Sequence, residues 1–246
     1  MLLMRPRHLL SGAPLLAVGA VGLLAWQGVT ARRTIERLPE ADGLTGACGE
    51  AGAPFHLVVL GDSVAAGVGI AHHDETLAGR LATLLAADTR TVRRTVLAES
   101  GLTAGGVLEQ FGQHPEIASA DLVVLSVGVN DALGLHSVRR WRRELGELLG
   151  AVTSAAPQAR VVLLGVPDMA QFTRLPRPLR DVLGHRSRRL DGAGRDLAAE
   201  FTRVQHLPLD LSMLDEGVEA FAADGFHPSS ALHSAIARQI NGADRG

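Results

Sequence analysis

Five residues spread along this chain have the types that acyl transfer requires. Ser63 offers a nucleophilic oxygen and His227 a base. Asp224 supplies a carboxylate to orient that base, and Gly101 and Asn130 can supply N–H donors to an oxyanion. The interval from Asp224 to His227 makes mechanical sense. On a tight turn the carboxylate reaches one imidazole nitrogen and leaves the other to face Ser63. Pro228 has no N–H and a fixed φ that suits the first position of a helix, so His227 is expected just before a helix start. Ser63 is expected to open the element that follows it, where its own N–H becomes a third oxyanion donor. Asp62 and Asp131 read as structural neighbours, the first holding a turn and the second capping a helix.

Such residues work only if separate elements carry them to one place. Ser63 follows the apolar run Leu57-Val58-Val59-Leu60, which is ended by Gly61 and reads as a strand buried on both faces, spanning His56–Leu60. Further strands are expected over Val92–Ala98, Asp121–Val127, Arg160–Val166 and Val204–Leu211. Between them Leu77, Leu81, Leu84 and Leu85 repeat at helical spacing. Ser137 can cap a helix whose inward stripe is Val138, Trp141, Leu145, Leu148, Leu149 and Val152. Leu179–Phe201 and Ser229–Ile240 read as two more helices. Alternating strands and helices with continuous apolar strands predict a three-layer α/β fold with a parallel sheet. Glu99–Gly106 and Gly128–Asp131 follow strands, as does Ser63, and ligands of open parallel sheets bind beyond the carboxyl ends of the strands.

Four blocks in chain order resemble those of the SGNH (GDSL) hydrolase family. They are Gly61-Asp62-Ser63 followed by Gly67 and Gly69, Gly101 within Ser-Gly-x-Thr, Gly128-x-Asn130-Asp131, and Asp224-x-x-His227. The second is the loosest, with Glu99 near a place where the family often carries asparagine. The resemblance implies a flavodoxin-like fold with a parallel sheet of about five strands, and a Ser63–His227–Asp224 triad. It implies an oxyanion hole from Ser63, Gly101 and Asn130, and hydrolysis of esters or thioesters ranging from acyl lipids to acetylated sugars. The pattern looks most like the lysophospholipase and acyl-thioesterase branch. Two other readings stand beside it: a carbohydrate O-acetylesterase or acyltransferase of the cell envelope, and a membrane-tethered binding module without turnover.

Composition narrows the partners. All 24 basic residues are arginine, and the net charge of −2 gives no overall attraction for nucleic acid. Cys48 is the sole cysteine, which leaves no internal disulfide or thiolate metal cluster. Gly67-x-Gly69 lacks the third glycine of a dinucleotide fingerprint, so no nucleotide, flavin or metal cofactor is expected. His72, His73, Asp74 and Glu75 read as a solvated loop, although their types also suit a metal site. Arg139, Arg140, Arg142 and Arg143 read as solvated flanks of a core Trp141, and Arg186, Arg188 and Arg189 likewise as solvated.

Leu9–Val29 carries no charged side chain, and at about 1.5 Å per helical residue it reaches about 30 Å, the thickness of a hydrocarbon core. An uncleaved membrane anchor fits that length. A signal peptide cleaved near Val29-Thr30-Ala31, giving a secreted protein, is the alternative. Residues 1–31 are thus expected to be an anchor or signal and 32–53 a linker. Residues 54–246 are expected to form the hydrolase domain, on the extracytoplasmic side and acting on a small-molecule or lipid ester.

Overall fold

The computed structural model describes residues 22–30, 36–50, 52–87, 90–215 and 217–243. A six-stranded sheet forms the middle layer, built from β1 (Thr45–Cys48), β2 (Ala53–Gly61), β3 (Arg90–Ala98), β4 (Leu122–Ser126), β5 (Arg160–Leu164) and β6 (Val204–Leu207). Their spatial order is β1-β3-β2-β4-β5-β6, and every pairing is parallel except the antiparallel edge pair β1–β3. The helices are residues 22–30 (α1), α2 (Leu77–Ala86), α3 (Ala104–Phe111), α4 (Pro115–Ala118), α5 (Val129–Leu133), α6 (Val138–Ala155), α7 (Leu179–Ala198) and α8 (Ser230–Ala243).

The apolar strands bury side chains on both faces because both faces are covered by helices. Val58, Leu60, Val123 and Leu125 pack with Trp141, Leu145 and Leu148 of α6 on one side. Leu57, Val59, Val124 and Val162 pack with Leu81 of α2 and Ile236 of α8 on the other. Ser137 caps α6 by accepting the Arg140 N–H, and Trp141 is buried with its indole N–H donated to the Leu190 carbonyl at 2.9 Å. Arg140 and Arg143, half-exposed, bond Glu144, while Arg142 reaches Glu200.

Two expectations change. The sheet gains a sixth strand because Thr45–Cys48, read as linker, pairs with the outer edge of β3. Ahead of it, the Asp42 carbonyl accepts the His73 N–H at 2.8 Å, so this stretch is sewn onto the domain. The His72–Glu75 segment is not a solvated loop throughout. His73–Glu75 forms a 3₁₀ turn with His73 fully buried, and Asp74 pairs with the buried Arg94 at 2.6 Å. The expected anchor or signal over Leu9–Val29 lies outside the described residues as far as residue 21, and among the described residues no helix is long and apolar enough to cross a membrane.

Candidate active site

The carboxyl ends of β2, β3 and β4 and the loop before α8 meet at one cleft. Ser63, Gly101, Asn130 and His227 all line it, and its volume is about 1140 Å³. That exceeds the roughly 300–1,000 Å³ usual for small-molecule pockets. Asp224 lies behind His227, out of the cleft.

Ser63 stands in the turn that leaves β2. Gly61 allows this turn because it has φ +153° and lies so close to β4 that a Cβ there would sit 2.0 Å from the Ser126 carbonyl oxygen. Asp62 then locks it, with Oδ1 accepting the Val64 N–H at 3.1 Å and the Ser126 hydroxyl at 3.3 Å. Its complete burial pushes the Asp62 carboxyl up to about 7 against those hydrogen bonds. Ser63 thus opens a run of turns closed by Val68 N–H on the Ser63 carbonyl at 3.1 Å, instead of the expected regular element.

The His227 loop is built around one carboxylate. Asp224 Oδ1 accepts the N–H groups of Phe226 and His227 at 2.9 and 3.0 Å, and Oδ2 lies 2.6 Å from His227 Nδ1. Burial works to raise the Asp224 carboxyl, but the hydrogen bonds from the His227 ring and the two amides prevail and hold it below the usual carboxylate range. An ionised Asp224 places the imidazole proton on Nδ1 and leaves Nε2 as the basic nitrogen. Pro228 does not start the following helix. It bridges to Phe221, the His227 carbonyl accepts the Ala222 N–H at 2.7 Å, and α8 begins at Ser230. Ser229 performs the capping, accepting the Leu232 N–H at 3.2 Å. The Phe226 ring packs edge-on to Phe172 and to the His227 imidazole at 5.1 and 5.3 Å, which braces the loop.

Gly101 has φ +91°, a conformation that favours glycine, and a Cβ there would meet nothing. Among the described residues neither its amide nor that of Ser63 donates a hydrogen bond. Asn130 gives one amide hydrogen to the Leu102 carbonyl at 2.9 Å, which ties it to the Gly101 turn and leaves its second hydrogen available. Asp131 caps a neighbouring helix, accepting the Ala104 N–H of α3 at 3.1 Å and holding the turn from the other side.

Two contributors escaped the sequence reading. Glu40, in the expected linker, accepts the Ser100 N–H at 2.7 Å beside the Gly101 turn, and nothing in its sequence neighbourhood signals this. Residues of α1 line the cleft as well. Their one signal is Gln27, the single side-chain amide in an otherwise uncharged apolar run.

Asp131 Oδ1, His136 Nδ1 and Glu144 Oε2 converge to within 4.8 Å of one another in the manner of metal ligands. Arg140 and Arg143 both bind the other Glu144 oxygen, at 2.8 and 3.0 Å, and two guanidinium charges there oppose a cation.

A family model for GDSL-like lipases and acylhydrolases matches residues 59–235, so the chain belongs to that family and is an esterase of the GDSL/SGNH type. A GDSL-like esterase of Mycobacterium tuberculosis is 29% identical over 241 residues, covering 89% of this chain and 75% of that protein. Among solved structures, a phospholipase A1 from Streptomyces albidoflavus is similar in fold at 21% identity and a TM-score of 0.60, covering 78% of this chain and 99% of that one. A carbohydrate esterase of family 2 from Corynascus thermopiles, carrying a carbohydrate-binding domain, is similar at 16% identity and a TM-score of 0.57, covering 80% of this chain and 67% of that one.

Proposed function

We propose that Ser63, His227 and Asp224 form a catalytic triad that hydrolyses carboxylic esters of lipid-like acyl groups through an acyl-enzyme. One observation carries this reading: Ser63 and the Asp224-held His227 line the same cleft as the open Gly101 turn and the tethered Asn130 amide. The Ser63 Oγ proton passes to His227 Nε2 as Oγ attacks the acyl carbonyl carbon. The oxyanion that forms is met by the Ser63 and Gly101 N–H groups and the free Asn130 hydrogen. Collapse breaks the ester C–O bond, and His227 returns the proton to the departing alcohol. Water then attacks the acyl-Ser63 ester, giving its proton to His227, and the acid leaves as Ser63 is reprotonated.

Leu133, Leu175, Leu179 and Leu183 line the cleft on the side facing α7, and this apolar wall favours an acyl chain over a sugar. Purified protein should be labelled by a fluorophosphonate, and Ser63→Ala should abolish both labelling and ester turnover. A non-catalytic binding module predicts no labelling at all, while a carbohydrate O-acetylesterase predicts acetyl esters outrunning octanoyl esters.

The placement of this activity at a membrane, with the domain outside the cytoplasm, is also proposed. It rests on the uncharged stretch leading into α1 and on the exposed Leu23, Trp26 and Val29 that continue it. Fractionation of cells expressing the full chain should find it in the membrane pellet, and recovery in the soluble cytosolic fraction would refute the placement.

A further inference from the structure

The large cleft has a wall that does not belong to the matched family domain. The family match begins at residue 59, yet Leu24, Ala25, Gly28 and Val29 of α1 line the same cleft as Ser63 and His227. Leu24, Gln27 and Gly28 are the inward positions of this short helix, at the i, i+3, i+4 spacing that shares one face. Leu23 and Trp26 face out, 42% and 65% exposed.

Gln27 fastens the wall. It is buried, it donates to the Arg177 carbonyl at 2.8 Å, and its oxygen accepts the Leu179 N–H at 3.1 Å. The N-cap of α7 is Pro178, which offers no side-chain acceptor, so Gln27 satisfies a first-turn amide that the helix leaves open. An amide in this position is therefore a clamp between α1 and α7, across 150 residues of sequence.

We infer that α1 completes the acyl-binding chamber and that residue 28 gauges the length of the acyl chain. This inference rests on the proposed esterase reading. Gly28 sits on the inward face beside the clamp, and a Cβ built there meets no atom within 4 Å. A larger side chain there would enter the cleft that Leu179 and Leu183 of α7 also line. The substrate class that follows is a long-chain acyl ester whose tail runs between α1 and α7, with its carbonyl at Ser63.

The test uses the full chain in detergent micelles, with p-nitrophenyl acetate, octanoate and laurate, and the series Gly28→Ala, Gly28→Val and Gly28→Phe. Each buried methylene displaced is worth about a fourfold loss. Laurate kcat/KM should therefore fall progressively with side-chain size, by about tenfold or more for Gly28→Phe, while acetate stays within about twofold. Gln27→Ala, which frees the wall without filling the chamber, should raise KM for laurate more than KM for acetate. Equal losses on acetate and laurate across the Gly28 series, or an unchanged laurate-to-acetate ratio, would overturn the inference. Retained activity of Ser63→Ala would instead sink the esterase reading, so the two failures are separable.

Discussion

Two histidine–carboxylate pairs in this protein are nearly alike as pairs and unlike in everything around them. Asp224 lies 2.6 Å from His227 Nδ1, with side chains 0% and 15% exposed, and Asp131 lies 2.9 Å from His136 Nδ1, with side chains 0% and 11% exposed. The partner ring matches, but Asp131 lies deeper in the protein than Asp224, and the carboxyls move in opposite directions. Asp224 is held below its ordinary range because two loop amides join the ring in bonding it. Asp131 is pushed above its range because burial prevails, with one helix amide and His136 opposing it and the nearby Glu144 charge adding to the rise. The second difference is what the ring faces. His227 lines the cleft with Ser63, whereas His136 packs by Gly134, where a Cβ would lie 3.2 Å from Nε2. A histidine beside an aspartate is therefore a common structural unit. The number of amides on the carboxylate and the cleft that the ring lines separate the proposed reacting pair from the capping one.

Mutation should break this comparison cleanly. The largest effect belongs to Ser63→Ala, which should lower kcat by about 10⁶-fold with no change in melting temperature. Asp224→Asn follows, at about 10⁴-fold, because the amide no longer holds the imidazole proton on Nδ1. Asn130→Ala removes one oxyanion donor and should cost about 10²–10³ in kcat at nearly constant KM in steady-state assays. Asp131→Ala should behave differently from Asp224→Asn. Chemical denaturation should show a loss of about 1–3 kcal/mol as the Ala104 amide and His136 lose their partner, while kcat falls by less than about tenfold. A loss of activity as large as that of Asp224→Asn would erase the distinction between the pairs.

A third kind of histidine sharpens the contrast. His73 and His233 are fully buried, among the described residues no carboxylate is bonded to either ring, and burial lowers both to about 4, with Arg94 adding to the effect on His73. Their folded values lie below the unfolded value of 6.5, so the unfolded chain binds protons first as the pH drops. Stability is full above pH 6.5 and is lost as pH falls towards 4, by at most about 3 kcal/mol per ring. Calorimetric melting from pH 8 to pH 4 should show this fall, and a His73→Gln/His233→Gln double variant should flatten it. An equally steep fall in the double variant would assign it to other groups.

Much of the fold was legible in local pattern. The runs around Leu57–Leu60 and Leu122–Leu125 read as strands buried on both faces, and the stripe from Trp141 to Val152 as one helical face. The chemistry-bearing residues were legible for a related reason. Each sits within two or three residues of a glycine or aspartate that shapes its own turn, so type and spacing are visible together. Thr45–Cys48 was not legible, because an edge strand that pairs through its backbone and is half solvated needs no apolar period. Nor was the burial of His73, whose neighbour Asp74 pairs with Arg94 of β3, twenty residues away.

By itself, then, the sequence determined the strand order in time, the identities at the strand ends and the Asp224–His227 spacing, all properties of neighbours along the chain. The tertiary structure alone brought Ser63, Gly101, Asn130 and His227 to one cleft. It alone brought Glu40 to the Ser100 amide and Gln27 to the start of α7. Those contacts join residues 60 and 152 apart, and no local periodicity encodes a partner at that distance; only packing of the whole chain does.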